Sequence, residues 1–501
     1  MCPDEAPKRS IAVATRRFWQ RSRGENDPAA ARSIFLRWLL STNHIVLQGF
    51  SPFLPFFGKR QQTRLSGLHL VLSLAILLSC QEQKPAPEAI KGPSTAVLAG
   101  QIDEYFSALR GLEKFNGVVF ASKAEDVIIH KAYNLNPDEQ SSTYVSPQSQ
   151  FDIHSVSKLL ARYLIEKLEL AGKVKKSQTV SEFIADFPGG EKITLDLLLH
   201  HRSGLPRRLE GLEEAAINLS SEQIMDYAKK QELRFEPGTA TQYSNIGYEL
   251  VYYIIEQIVE RPFAQYVAEE VFHPLGMNDS GAHFYARENQ LKSLAKNHER
   301  EDSTIVQVDN ILPDELKTAR IFSTAADLNK FLNHLNEPPY AALLSDETKV
   351  IEKSGGSDGI RVQVYTHLER GYNFIFLANY EAVPFQQTVA DFVKIMEHET
   401  YAIPQALNRK AIQVPGAILA QYVGNYTFAD LGNLELTIEM EEEHLVVFQE
   451  GERIASLKAE TENVFFEDPK APESFEFVDD GEGRFKVLMG FKGVKLEGIK
   501  R

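Results

Sequence analysis

The sequence predicts an α+β fold, an antiparallel sheet combined with helices, followed by a separate all-β barrel at the C-terminal end. Three observations carry that expectation. Runs near residues 117–133 and 350–378 show the alternation and β-branching of strands, and helix-periodic segments fill the interval between them. From Pro415 onward the texture changes to short alternating runs separated by polar or Gly-containing turns. The length, 501 residues, is enough to bury more than one core.

Composition narrows the function classes. With 43% hydrophobic and 25% charged residues, the chain reads as globular. A formal net charge of −15 with no basic stripe argues against a nucleic-acid partner, because phosphate binding depends on clustered Lys and Arg. Cys2 and Cys80 lie outside the expected folded body, so neither a disulfide framework nor a cysteine-based metal site is expected inside it. The thirteen histidines include no His-Glu-x-x-His, and adjacent His200 and His201 would point in different directions on a helix. No metal and no other cofactor is expected.

In chain order, residues 1–63 are a doubtful N-terminal extension that mixes Arg-rich patches with an apolar stretch at 45–57. Lys59, Arg60 and Arg64 precede the apolar run 65–79, which is too short for a comfortable membrane span and matches the head and middle of a secretory signal. The run ends in Leu77-Leu-Ser-Cys80, which resembles the bacterial lipoprotein cleavage box. Residues 64–80 are therefore expected to be a lipoprotein signal segment with Cys80 lipidated, and translation is expected to begin near Arg64. Residues 81–95 read as a polar, Pro-rich linker. The expectation that follows is an exported bacterial lipoprotein, membrane-anchored and facing the periplasm or cell surface.

The first domain is expected over residues 96–405. An amphipathic helix at 96–112 precedes two strands, 117–123 and 126–133, joined by a short polar turn. A loop at 135–150 then delivers the chain to Phe151-Asp-Ile-His-Ser-Val-Ser-Lys158 and the apolar run 159–168. A helix starting near Ser155 puts Ser155 and Lys158 on one face of its first turn, a hydroxyl beside an amine. The unpaired N–H groups and positive dipole end of such a helix stabilise an alkoxide, and the pattern suits acyl transfer with Ser155 as nucleophile. Spacing alone is unspecific: helix starts favour Ser anyway, and Ser293-Leu-Ala-Lys296 repeats it in a polar stretch.

A short helix at 193–200 is closed by Arg202-Ser-Gly-Leu-Pro206. Phe235-Glu-Pro-Gly238 forms a turn ahead of Gln242-Tyr-Ser-Asn-Ile-Gly247 and a long helix at 248–259, which places Tyr243 and Asn245 on a loop held by that helix. On their own these could equally be a packed ring and a helix cap. Next, Val350-Ile-Glu-Lys-Ser-Gly-Gly-Ser-Asp-Gly359 leads into runs at 360–365 and 372–378 that read as strands of one antiparallel sheet, with Lys353, Ser354 and Gly355 near an edge facing a cleft. The Gly pair lets a substrate approach closely and leaves the N–H of Gly356 free to join that of Ser155 in an oxyanion hole. Gly355-Gly-Ser-Asp-Gly359 also fits the Gly-x-Ser-x-Gly elbow, with Ser357 as a rival nucleophile. That elbow requires a following helix, and residues 361–365 alternate like a strand.

Ser155-x-x-Lys158, Tyr243-x-Asn245 and Lys353-Ser354-Gly355 occur in the order seen in serine β-lactamases and penicillin-binding proteins, and their surroundings resemble the class C β-lactamase-like serine hydrolases. The likeness takes in Leu198-Leu-His-His-Arg-Ser-Gly-Leu-Pro206, Pro274-Leu-Gly-Met277 and Phe322-Ser-Thr-Ala-Ala-Asp-Leu328, and runs from about residue 117 to about 381. It implies a β-lactamase/transpeptidase-like antiparallel sheet flanked by helices. It also implies roles: Ser155 is acylated, Lys158 and Tyr243 share the proton traffic, and Lys353 supports Tyr243 and attracts a carboxylate. Asn245 positions a substrate amide, with Ser354, Gly355 and Gly356 as further substrate-binding positions. The chain departs from the family at Ala319-Arg320, where relatives often have Gly-Gly, which implies a narrower or more cationic cleft. It departs again at His154, where relatives tend to have a small residue and which reads as packing.

The last domain is expected over 415–501. A helical lead at 417–422, Val423-Gly-Asn-Tyr-Thr-Phe428 and runs at 434–438, 444–448, 454–457, 464–466, 475–478, 485–489 and 493–496 suggest a small antiparallel barrel. It resembles the lipocalin-like domain appended to many of these hydrolases. The function expected is a serine hydrolase acting through an acyl-enzyme on an amide or ester, with a D-amino-acid peptide, a cell-wall peptide or a small ester as candidate substrates. The alternative, from a different class, is a catalytically silent peptidoglycan- or peptide-binding or sensing lipoprotein of the same fold. The partners expected are that small-molecule or peptide substrate and, through the lipid anchor, a membrane. The sequence leaves the oligomeric state open.

Overall fold

The structure is a computed structural model that describes residues 94–209, 221–282, 291, 293–301, 304–308, 320–345, 347–428, 434–449, 451–469, 472–481, 485–491 and 494–501. The N-terminal extension, the signal segment with Cys80 and all but the end of the linker lie outside the described residues.

Five strands form the sheet that positions the site: β1 (Gly117–Lys123), β2 (Asp126–Tyr133), β3 (Val350–Ser357), β4 (Ile360–His367) and β5 (Tyr372–Ala378). Their order is β2-β1-β5-β4-β3, with every pairing antiparallel. The first hairpin is therefore zipped to the last strand, from Gly117↔Ala378 to Lys123↔Tyr372, and the chain between returns to the free edge as β3. That edge is where Lys353-Ser354-Gly355 was expected.

The strands are apolar on both faces because both are covered. Phe374, Phe376 and Ala378 share one face with Val119 and Ala121 and pack under α1 (Thr95–Gly111) and α5 (Phe385–Glu397). Phe374 stacks on Phe392 of α5 with ring centroids 3.5 Å apart. The intervening Ile375 and Leu377 join Val118 and Phe120 on the opposite face, in the core shared with α2 (Ser157–Leu170), α3 (Asn245–Val259) and α4 (Ala325–Leu335). Each such Phe, Leu or Ile contributes about 1.5–3 kcal/mol by leaving water, so the sheet is a firm base for the groups at its edge.

Local chemistry sets the helix starts. Thr324 caps α4 by accepting the Asp327 N–H at 3.2 Å, and Ser244 caps α3 by accepting the Gly247 N–H at 3.0 Å. The second cap corrects an expectation. Because Ser244 is the cap, α3 begins at Asn245, so Asn245 lies in the first helical turn and only Tyr243 is on the loop. Ser155 sits in a single 3-10 turn, His154–Val156, that runs directly into α2. Two small sheets were not anticipated. One joins Phe151–Asp152, Ile321–Ser323 and Gly281–Ala282, and the other pairs Asn297–Glu301 with Thr304–Val308. Asn-His-Glu-Arg-Glu carries no apolar alternation to read.

The Ser357 elbow is excluded by topology. Ser357 ends β3 opposite Ile360 of β4, and the turn between them contains Gly359 at φ +72°. The context is strand, turn, strand.

At the C-terminal end, eight strands close into a barrel, from Gly424–Phe428 to Val494–Lys500, each antiparallel to its neighbours. Tyr426↔Lys500 and Thr427↔Ile499 join first to last. Its interior is packed with Tyr426, Phe428, Leu436, Ile438, Val447, Phe465 and Phe477. The short helix Gly416–Tyr422 adds Tyr422, which stacks on Phe477 at 4.3 Å.

Candidate active site

Three segments far apart in sequence meet around Ser155 and Tyr243. The Tyr243 hydroxyl donates to Ser155 Oγ at 2.9 Å, and Lys158 Nζ donates to the same oxygen at 3.2 Å. Lys158 reaches it because a side chain three residues on lies over the same face of the turn. Tyr243 reaches it from the loop that Ser244 ties to α3, and Lys353 Nζ approaches from the sheet edge to 5.4 Å from the Tyr243 ring centroid. Lys158 Nζ stands 5.6 Å from the same ring and 5.6 Å from that of Tyr248.

The electrostatics of the group centre on Tyr243. Burial pushes its phenol up, but the Lys158 and Lys353 ammonium groups outweigh burial and bring the pKa down to about 8. Burial also holds Lys353 below the ordinary lysine range, with Lys158 and Arg162 acting in the same direction and Tyr243 opposing them. The site thus holds a serine with two proton-handling neighbours and a tyrosine that ionises within reach of neutral pH. That is the equipment of nucleophilic acyl transfer.

Gly355 explains how the edge strand and the nucleophile come together. A Cβ at this position would stand 2.5 Å from the Ile153 carbonyl oxygen and 3.0 Å from Ser155 N, so only glycine lets β3 lie against the nucleophile's turn. Side chains alternate along β3, which puts Lys353 and Gly355 on the site's face. Backbone groups alternate too. With Ser357↔Ile360 closing a two-residue turn, Gly356 is the position whose N–H turns away from β4 toward the free edge.

The match to known sequences decides the family, since the model described as Beta-lactamase matches residues 102–374, more than half of the chain. The chain belongs to the beta-lactamase family. Penicillin-binding protein 4* of Bacillus subtilis (strain 168) is 24% identical over 444 residues, which cover 75% of this chain and 95% of that protein. A putative D-alanyl-D-alanine carboxypeptidase of Salmonella agona (strain SL483) is 25% identical over 174 residues, or 31% of this chain and 40% of that one. A class C beta-lactamase of known structure superposes with a TM-score of 0.51 at 17% identity, over 62% of this chain and 99% of that chain, which shows a shared fold. The fold is therefore that of the β-lactamase-like and penicillin-binding-protein-like serine hydrolases.

Within this beta-lactamase-family site the expected residues do not all touch. Ser155, Lys158, Tyr243 and Lys353 cluster as described. Asn245 is buried, with its backbone N–H donating to Arg207 O at 2.9 Å, and Ser354 lies opposite Gln363 in the ladder. Among the described residues no hydrogen bond joins either side chain to Ser155.

Arg320 requires a correction. It was expected to narrow the cleft or make it more cationic, but it is 4% exposed and forms an ion pair with Asp152, while its Nη2 lies 3.2 Å from His154 Nδ1. Asp152 Oδ1 also accepts the His154 N–H at 2.9 Å, and His154 adopts φ +45°. A charge taken out of water needs a partner, and Asp152 lies close behind the nucleophile's turn. Arg320 belongs to the wall and not to the cleft.

His201 is weighed in the sequence only as a metal ligand and given no role at the site. It is buried, its ring lies 4.3 Å from that of Tyr243 and 5.3 Å from that of Tyr248, and its Nδ1 accepts the Ser244 N–H at 3.2 Å. Burial first, and then the charges of Lys353 and Lys158, push its pKa down to about 2, so the imidazole is neutral. The signal available was its place inside the family-like stretch Leu198-Leu-His-His-Arg-Ser-Gly-Leu-Pro206.

Proposed function

We propose that the protein is a serine hydrolase that forms an acyl-enzyme on Ser155. The observation that carries this reading is the convergence of the Tyr243 hydroxyl and Lys158 Nζ on one serine oxygen. With its pKa near 8, Tyr243 is partly phenolate at neutral pH and takes the Ser155 proton as Oγ attacks the substrate carbonyl, with Lys158 holding the hydroxyl in line. The N–H groups of Ser155 and Gly356 receive the developing oxyanion. Collapse breaks the bond to the leaving group, which takes the proton back from Tyr243. Water then repeats the sequence to release the acid and free Ser155.

For substrate we infer an amide or ester that carries a carboxylate, of the D-amino-acid or cell-wall peptide kind. Support comes from the cationic setting of Lys158, Lys353 and Arg207 around Tyr243, and from the relative described as a putative D-alanyl-D-alanine carboxypeptidase. We also read residues 64–80 as an export signal with Cys80 lipidated, which would hold the enzyme at a membrane facing the periplasm or cell surface.

Intact-mass spectrometry of the chain from Cys80 onward, incubated with a fluorophosphonate and with a penicillin, tests the reading against Ser155→Ala. A mass adduct on wild type that Ser155→Ala abolishes is the expected result. No adduct from either probe would favour a silent binding protein, and an adduct that survives the substitution would move the nucleophile elsewhere.

A further inference from the structure

We propose that His201 is the positioning residue that holds Tyr243 against Ser155, by bracketing the tyrosine's backbone with its own carbonyl and ring nitrogen while its ring covers the tyrosine ring. The assignment rests on the reading of Tyr243 and Ser155 as the reacting pair. The geometry is particular to this residue. Its carbonyl accepts the Gln242 N–H at 2.9 Å and its Nδ1 accepts the Ser244 N–H at 3.2 Å, so the residues immediately before and after Tyr243 are both tied by their N–H groups to this one residue, through its backbone and its side chain. The ring packs at 4.3 Å from Tyr243 and 5.3 Å from Tyr248, and Tyr248 is itself fixed by its hydroxyl donating to Leu199 O at 3.1 Å. Three independent contacts therefore set where the Tyr243 hydroxyl points.

A second property makes histidine suitable here. A ring nitrogen that accepts an N–H carries no proton, so His201 holds the loop as a neutral group with its own proton on Nε2. The groups facing Tyr243 are Ser155 and Lys158 from the nucleophile's segment, Lys353 from β3, Arg207 from the loop after Pro206, and Tyr248 from α3. A protonated side chain in place of His201 would add a further cation, whereas the neutral imidazole supplies an acceptor and a flat surface with no charge. His201 also sits at φ +57°, in the left-handed region where Asn and His are enriched, so His201→Asn preserves the backbone as well as an acceptor, and His201→Phe adds backbone strain to the loss of the acceptor.

The test compares wild type, His201→Asn and His201→Phe by the rate of fluorophosphonate labelling of Ser155 as a function of pH, with thermal melts as the check on folding. His201→Phe keeps a ring and loses the acceptor. It is expected to label about 100-fold more slowly, the effect of misplacing a catalytic group by about an ångström. The midpoint of its pH profile is expected to move up from about 8 toward that of an ordinary phenol, as the ring drifts from the two lysines. His201→Asn keeps an acceptor beside the Nδ1 position and is expected to label within about tenfold of wild type, with its midpoint unmoved. A His201→Phe variant that labels as fast as wild type, or a His201→Asn variant as slow as His201→Phe, overturns the assignment. Should His201→Phe fail to fold, His201→Asn decides alone, and labelling more than about tenfold slower or a raised midpoint counts against it. Wild type that no probe labels overturns the hydrolase reading and this assignment with it, an outcome distinct from labelling that ignores His201.

Discussion

At Tyr243 a single phenol is pulled in two directions, and the balance sets the working pH. Burial favours the neutral ring, Lys158 and Lys353 favour the phenolate, and the lysines win. Replacing Lys353 by Met keeps the burial and removes one cation, so the pKa of Tyr243 rises. The phenolate exists above that pKa, so acylation that climbs through pH near 8 in wild type climbs at higher pH in Lys353→Met. At neutral pH the variant loses about tenfold for each unit of that shift. A pH profile of labelling that stays in place would show that Tyr243 is not the group being read. At this scale spacing offered Ser155 and Lys158 only as a candidate pair, and Tyr243 and Lys353 became legible through the resemblance that the three motifs carry in their order. His201 did not, because its role depends on a loop folding back over Tyr243, which no spacing rule records.

Among the elements that form the site, the contact of β3 with the turn before α2 leaves no room for a side chain. A methyl group on Gly355 meets backbone on two sides, and neither the Ile153 carbonyl nor Ser155 N can move aside as a flexible side chain would. Gly355→Ala therefore pushes the sheet edge from the nucleophile, and labelling is expected to fall by about 100-fold while the circular dichroism spectrum is preserved. Labelling at the wild-type rate would mean that β3 and the turn are not held in register by this contact. The strands themselves could be read from their alternation, and β1 and β2 carry the bounds expected of them. Asn297–Glu301 could not, because a strand that pairs through its backbone alone leaves no apolar period. The start of α3 was displaced for a different reason: Ser244 ends the loop as a cap before the apolar residues of the helix begin.

For the whole molecule, the sheet-and-helix body and the barrel have separate cores, and the hydrogen bonds and charges described around Ser155 come from the first of them. The change of texture at Pro415 made the barrel legible, because period-two runs between turns leave little other choice. The lipid anchor proposed at Cys80 is tested separately. Cys80→Ser removes the thiol that a lipid would modify, and in a bacterial host it is expected to shift the protein from the membrane to the soluble fraction. An unchanged distribution would argue against the anchor. Finally, Asp152, His154 and Arg320 form a buried group whose members depend on one another. Losing Arg320 alone leaves a carboxylate sealed from water, which costs about 3–5 kcal/mol. The whole margin of a folded domain is only about 5–15 kcal/mol. Removing Arg320 alone therefore takes a large share of that margin, and exchanging both partners together for apolar residues is the change that spares it.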